Sequence, residues 1–271
     1  MTILDRIVAT VNERLQQRKQ AVSLAELEAQ PLFDSPRKDF AAALRTEGIS
    51  IISEIKCASP SAGTIRPDFD VENIARQYAD GGASAISVLT EPDYFKGSLD
   101  FLPEARDAVS IPLLRKDFIV DPFQIVEARA YGADAVLLIA SVLEKQQLHH
   151  LHQTADELGL QCLVELYEHQ ELDMIDFDQV RILGVNNRNL HTFEVDINHS
   201  LRVFADAPEG PVRVSESGLS SADELAHLET NRIDAVLMGE TLMRAPHPGE
   251  AVARLLHQTG SSRKSSEKLP H

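Results

Sequence analysis

The sequence predicts an α/β chain folded as a (β/α)8 barrel with an N-terminal helical extension, and three observations carry that expectation. Eight apolar, β-rich runs recur from residue 50 onward, segments of helical periodicity separate them, and several of those segments end in Gly followed at once by the next run. A helix stopped by Gly and continued directly into a strand is the connection used in a parallel sheet. Eight such units in about 220 residues exceed the roughly five to seven strands of a doubly wound sheet and fit a closed barrel.

In chain order, Leu4, Ile7, Val8, Val11 and Leu15 fall on one face of residues 3 to 20, with charges elsewhere. This is an amphipathic helix that needs a surface to lie on. One apolar stripe is satisfied by one surface, so the helix is expected to cap the barrel mouth. A polar, Pro-containing segment follows, and Phe40 and Leu44 mark a short helix before the strand at Ser50. The strand runs lie near 50–55, 84–89, 111–115, 133–140, 161–166, 180–185, 211–215 and 233–238. Asp70 opens a helix over Val71 to Asp80 that stops at Gly81-Gly82, Asp121-Pro122 opens another that closes at Gly132, and a third from Glu144 to Leu158 closes at Gly159. A last helix, roughly Gly249 to His257, completes the ring. The expected division is a helical extension over 1–48, a catalytic barrel over 49–258 and a disordered Ser-, Lys- and Arg-rich tail over 259–271.

With 271 residues and 43% hydrophobic content the chain can bury a large core. Its formal net charge of −16 argues against a nucleic-acid or anionic-membrane partner, which needs a basic face. A small anionic substrate is compatible with that charge if its pocket is locally basic. Cys57 and Cys162 form no CxxC, so neither a disulfide framework nor a zinc site is indicated. His149, His150 and His152 sit on a charged helix and read as a solvated face, so no metal site is expected. The chain meets Asp5 and Arg6 at once and no run approaches a membrane span, which points to a soluble cytoplasmic protein.

Active sites of this fold sit at the carboxyl ends of the strands, and here those ends are polar. Glu54 and Lys56 are two residues apart, so at a period of two both point to one side of strand 1. Strand 3 meets Arg115-Lys116-Asp117-Phe118, strand 5 carries Glu165 among aliphatics, and strand 6 ends in Asn186-Asn187-Arg188-Asn189. Strand 7 ends in Ser215-Glu216-Ser217-Gly218 and strand 8 in Met238-Gly239-Glu240. Gly218 and Gly239 each place bare backbone amides between a strand and a helix start, where an anion is favoured, so Gly218, Gly239 and Glu240 are the expected phosphate-binding positions.

Several of these stretches together resemble one family. Ser53-Glu54-Ile55-Lys56-Cys57-Ala58-Ser59-Pro60-Ser61, Ile86-Ser87-Val88-Leu89-Thr90, Phe95-Lys96-Gly97-Ser98, Leu114-Arg115-Lys116-Asp117-Phe118, Gly184-Val185-Asn186-Asn187-Arg188-Asn189-Leu190 and Ser215-Glu216-Ser217-Gly218 resemble, in that order, indole-3-glycerol phosphate synthase. The resemblance spans nearly the whole chain. It implies a TIM barrel with a helical extension, and a carbon-carbon lyase of tryptophan biosynthesis that acts without metal or cofactor on 1-(2-carboxyphenylamino)-1-deoxyribulose 5-phosphate. It puts the catalytic positions at Glu54, Lys56, Lys116, Glu165, Asn186, Glu216 and Ser217, and substrate contacts at Arg188, Ser59, Phe95 and Phe118. No nucleic acid or membrane is implied, and a monomer is expected.

The chemistry accounts for the residue types. Ring closure makes an aryl carbon attack a ketone whose oxygen must be protonated, which suits Lys116 held charged by a carboxylate, with Glu54 the expected partner. Lys56 and Arg188 suit the carboxylate that leaves, Glu165 suits the base of the dehydration, and its acid is Lys116 or Lys56. Asn186, Glu216 and Ser217 would orient hydroxyls and the amine. Phe95 and Phe118 either flank the ring or pack the core. The loop after strand 1 departs from the family at Ala58 and Ala62, where lysines are common, and phosphate binding is expected to weaken accordingly. An isomerase using a Cys–Asp pair is a competing reading, disfavoured because Cys57 alternates away from Glu54 and Lys56. A non-catalytic phosphate-binding barrel is another, disfavoured because an anion binder gains nothing from Glu165.

Overall fold

The strand runs are apolar without alternation because each strand buries both faces, one against the barrel interior and one against helices. The computed structural model describes residues 2–60, 63–66, 69–189 and 194–260. Ser61, Ala62, Leu190 and residues 261–271 of the expected tail over 259–271 lie outside the described residues. The helices are α1 (Ile3–Ala21), α2 (Leu24–Glu28), α3 (Phe40–Leu44), α4 (Val71–Asp80), α5 (Pro92–Phe95), α6 (Phe101–Ala108), α7 (Pro122–Ala130), α8 (Lys145–Glu157), α9 (His199–Phe204), α10 (Ala222–Thr230), α11 (Glu240–Arg244) and α12 (Pro248–Gln258). The barrel strands are β1 (Ser50–Ile55), β2 (Ala85–Leu89), β3 (Leu113–Lys116), β4 (Ala135–Ile139), β5 (Gln161–Leu166), β6 (Ile182–Asn186), β7 (Val212–Glu216) and β8 (Ala235–Met238). They pair in parallel in sequence order, and β8 closes on β1 with Ser50 opposite Ala235 and Ser53 opposite Met238.

The expected helix signals act as capping chemistry predicts. Asp70 accepts the Asn73 amide and Asp121 the Phe123 amide, with Pro122 in the first turn of α7. Gly132 and Gly159 take φ of 88° and 68°, which lets each helix turn directly into the next strand. Two small elements were not expected. α2 lies in the segment read as polar loop, and Ala58–Ser59 pairs antiparallel with Gly63–Thr64 to fold the loop after β1 back on itself.

Ile52, Leu114, Leu137, Leu163, Ile182, Val214 and Leu237 form the interior cluster, while Ile51, Ile86, Val88, Leu138, Val164, Val185 and Val236 pack outward with helix residues such as Tyr78, Leu102 and Leu151. The segment before β1 reaches both ends of this barrel. Leu4, Ile7 and Val11 of α1 join the interior cluster, and Ile3, Leu4 and Ile7 share a cavity with residues at the carboxyl ends of the strands. Phe40 and Leu44 of α3, fully buried, join the same cluster, and the Ala41 amide donates to Gln161 Oε1 (2.8 Å) at the start of β5. Between them, Leu27 of α2 packs on Phe123 and Ala130 of α7. The sequence reading had only the mouth covered; the floor is plugged as well.

Ion pairs hold α1 in place. Arg14 pairs with Glu91 (3.0 Å) and Asp93, Arg18 Nε with Glu127 Oε1 (2.9 Å), and Lys19 with Asp121 (2.6 Å). The acidic partners lie in the segments that follow β2 and β3.

Of the three histidines on α8, only His150 is exposed. His152 is buried beside Asp156 and His149 bonds the Met174 carbonyl, so the solvated-face reading is corrected for those two. Their side of α8 faces the neighbouring 3-10 turn rather than solvent.

Candidate active site

Barrel closure brings together side chains from strands far apart in sequence. Lys116, the last residue of β3, places Nζ 3.4 Å from Glu165 Oε2 of β5 and 3.1 Å from Glu216 Oε2 of β7. Asn186, the last residue of β6, donates Nδ2 to Glu165 Oε1 at 3.3 Å. On β1 and its continuation, Lys56 Nζ lies 2.5 Å from Glu54 Oε1. The expectation that Glu54 pairs with Lys116 is therefore corrected. Glu54 is taken by the lysine two residues on, which the strand period puts on the same side, and the direct partners of Lys116 come from across the barrel.

Two interior glycines make room for these carboxyls. A Cβ on Gly239 would lie 2.3 Å from Glu54 Oε1 and 3.1 Å from Lys56 Nζ, and a Cβ on Gly184 would lie 2.2 Å from Glu216 Oε1. Glu216 is 1% exposed and its Oε1 has no hydrogen-bond partner among the described residues. A buried acceptor without a partner is costly, and that cost favours the protonated carboxyl.

The electrostatics follow from two carboxyls around one ammonium. Burial works to lower the Lys116 pKa, but Glu216, Glu165 and Glu54 outweigh it, so Lys116 is raised above its ordinary value and stays charged. Burial drives Glu216 the other way, and with Glu165 beside it against the pull of Lys116, its carboxyl is pushed up to about 8.

Above this cluster opens a cavity of about 410 Å³. It is lined by Glu54, Lys56, Ser59, Phe95, Lys116, Phe118, Glu165, Asn186, Arg188, Ser217, Gly218, Gly239 and Glu240. Every position expected from the sequence is on its wall except Glu216, which lies behind Lys116. The Phe95 and Phe118 rings stand 6.2 Å apart at 38°, and both reach the cavity as well as packing in the interior cluster. Cys57 does not line the cavity. Neither does Ala58, which is buried.

Leu4 and Ile7 of α1 reach the wall, as the expected cap over the mouth requires. Sequence reasoning missed other wall residues: Ile3, together with Leu137, Ile139 and Leu237 of the strands, adds to the apolar side, and Arg244 of α11 lies at the rim. Strand alternation could have indicated Leu137 and Ile139; nothing local marks Arg244.

At the glycine-rich rim, Ser217 and Gly218 take consecutive positive φ of 69° and 79°. The Ser217 conformation is unfavourable for a residue with a Cβ. It is held by Asn187, whose Nδ2 donates to Ser217 O (3.2 Å) and Ser215 Oγ (2.9 Å) while its Oδ1 accepts the Ser200 amide. Thr241 Oγ1 donates to Leu219 O (2.8 Å), tying α11 to this turn. Glu240, beside Gly239, pairs with Arg244. Among the described residues no three side chains are grouped to hold a metal ion.

Acid–base groups buried at the mouth of a (β/α)8 barrel, under a cavity that can admit a small molecule, define an enzyme of the barrel class. Comparison with known proteins narrows the class. The family model for indole-3-glycerol phosphate synthase matches residues 4–255, and the chain belongs to that family. The enzyme of that name from Salinibacter ruber is 54% identical over 257 residues, covering 94% of this chain and 95% of its own. That of Rhodopirellula baltica is 48% identical, covering 94% and 99%. The fold extends further: an orotidine 5'-phosphate decarboxylase from Pyrococcus horikoshii OT3 aligns with TM-score 0.59 at 12% identity, over 78% of this chain and 99% of that one.

Proposed function

We propose that Lys116 starts the conversion of 1-(2-carboxyphenylamino)-1-deoxyribulose 5-phosphate to indole-3-glycerol phosphate, and that Glu165 and Glu216 hold it ready to do so. The activity itself is that of the family, a carboxy-lyase of tryptophan biosynthesis acting on a small phosphorylated substrate. The observation that carries the assignment of roles is the Lys116 ammonium lying between two carboxyls from other strands.

The aryl carbon that bears the carboxylate bonds to the ketone carbon, and the ketone oxygen takes a proton from Lys116 to become a hydroxyl. Carbon dioxide then leaves with the C–C bond electrons returning to the ring. Lys56 and Arg188 bind the carboxylate beforehand, and its loss of hydration in an apolar-walled cavity favours departure. In the last step Glu165 takes a proton from the carbon next to nitrogen while the hydroxyl leaves as water. Lys116, having given its proton to the ketone oxygen, takes one from solvent before it serves as the acid of this step, and the proton that Glu165 captures then passes to the amine 3.4 Å away and restores both groups. Glu216 acts through Lys116, Asn186 and Ser217 orient the amine and hydroxyls, Ser59 contributes to the wall, and Phe95 and Phe118 flank the arene. Gly218, Gly239 and the Glu240 amide face the phosphate. The bonds made and broken need only proton transfer and charge stabilisation from the protein, so no cofactor enters the reading.

One chain suffices, since α1 covers the mouth of its own barrel, and a monomer acting in the cytoplasm is part of the proposal. Supplying the carboxyphenylamino substrate and following indole fluorescence tests it. A Lys116→Met protein that forms product at the parent rate would overturn the assignment.

A further inference from the structure

The cations on the cavity wall are Lys56, Lys116, Arg188 and Arg244, and the proposed substrate carries two anionic groups, a ring carboxylate and a phosphate. Lys56 is paired with buried Glu54, Lys116 with buried Glu165 and Glu216, and Arg188 serves the ring carboxylate in the reading above. Among the described residues of the wall, Arg244 is the remaining cation. Helix side chains lean toward the N-terminus, so from the last turn of α11 it reaches back to the residue beside Gly239. Its Nε and Nη2 both lie 3.0 Å from Glu240 Oε1, and Nη1 has no hydrogen-bond partner among the described residues.

The pair is exposed, 51% and 39% for the two side chains, and such pairs contribute little, so this one is readily exchanged. A phosphate dianion presents the same guanidinium fork with two oxygens and a second charge, a better partner than one carboxylate oxygen. We propose that Arg244 binds the phosphate monoester of the substrate by releasing Glu240, whose side chain competes with the phosphate for it. This rests on the functional reading above, which places the phosphate beside Gly218 and Gly239. It gives Glu240 two opposite effects: its backbone amide faces the phosphate while its carboxylate opposes binding.

The test uses the full chain as Arg244→Ala, Arg244→Lys, Glu240→Gln and the Arg244→Ala/Glu240→Gln double variant. Two quantities are read: KM for the substrate with inorganic phosphate as competitive inhibitor, and the protection against thermal unfolding given by inorganic phosphate alone. Arg244→Ala should raise KM and the phosphate inhibition constant by about tenfold, with kcat falling by less, and Arg244→Lys should recover part of the loss. Glu240→Gln should lower both constants, and that gain should vanish in the Arg244→Ala background. An unchanged phosphate constant in Arg244→Ala, or an equal effect of Glu240→Gln in both backgrounds, overturns the inference. Phosphate protection that depends on Arg244 in a chain that forms no indole product would sink the functional reading and leave this one standing.

Discussion

The Cβ that Gly184 lacks would lie 2.2 Å from Oε1 of Glu216, so an empty position on β6 is what admits a buried carboxyl from β7. Leu163 Cδ1, 3.1 Å from the same point, also crowds a methyl placed there. Gly184→Ala should therefore move Glu216 away from Lys116, lowering kcat about a hundredfold and stability by about 1–3 kcal/mol. Combining it with Glu216→Ala should restore most of the stability and none of the activity. Denaturant midpoints and initial rates of the two single variants and the double variant check this; additive stability losses would count against it.

Removing the ammonium should be more damaging to chemistry than to folding. Lys116→Met deletes the proposed acid, so product formation should fall about a thousandfold or more. Lys116→Arg should not rescue it, because a planar guanidinium does not give up its proton and needs a different geometry between Glu165 and Glu216. Indole fluorescence under single-turnover conditions measures both.

The raised Glu216 pKa predicts the sign of a pH effect. Its ordinary value is 4.5 and the folded value about 8, so between them the folded chain holds a proton that the unfolded chain has released. Stability from this group is complete below about 4.5, is lost as pH rises, and is gone above about 8. Lys116 stays charged throughout that window and adds no slope. Glu216→Gln, which keeps a neutral group of the same shape, should gain on the parent in urea midpoint as pH rises through the window and then hold level. If the protonated carboxyl is the working form, the parent should also lose kcat near pH 8 while the variant does not.

Glu127 joins α1 to the strand that carries Lys116, through Arg18 on one side (2.9 Å) and Arg115 on the other (3.4 Å). Arg18 is about a third exposed, so Arg18→Ala should cost about 1 kcal/mol or less. Glu127→Gln leaves Arg115, 3% exposed, with only Asp117 as its charged partner, and should cost about 3 kcal/mol. Both should raise KM, because α1 brings Ile3, Leu4 and Ile7 to the cavity wall. Equal stability losses in the two variants would contradict the ordering.

Much of this molecule is legible along the chain. Asp121-Pro122 and Gly132 delimit α7, the period of two puts Glu54 with Lys56, and the run from Ser215 to Gly218 marks the tight turn at the rim, because each depends on neighbours a few residues away. What could not be read is which groups meet across the barrel. The sequence matches Lys116 to Glu54 on a shared mouth, whereas its partners are Glu165 and Glu216, and the plug formed by Phe40 and Leu44 escapes a chain reading for the same reason.

By itself the sequence determined the eight strand and helix units, the side of each strand that bears polar groups, and the family. Only the tertiary structure decided which carboxyl faces which amine, which glycine leaves space for which acid, and that Arg244 reaches the rim. Periodicity and capping act within one or two turns of chain, while those pairings arise from the closure and stagger of a barrel whose facing strands are separated by dozens of residues.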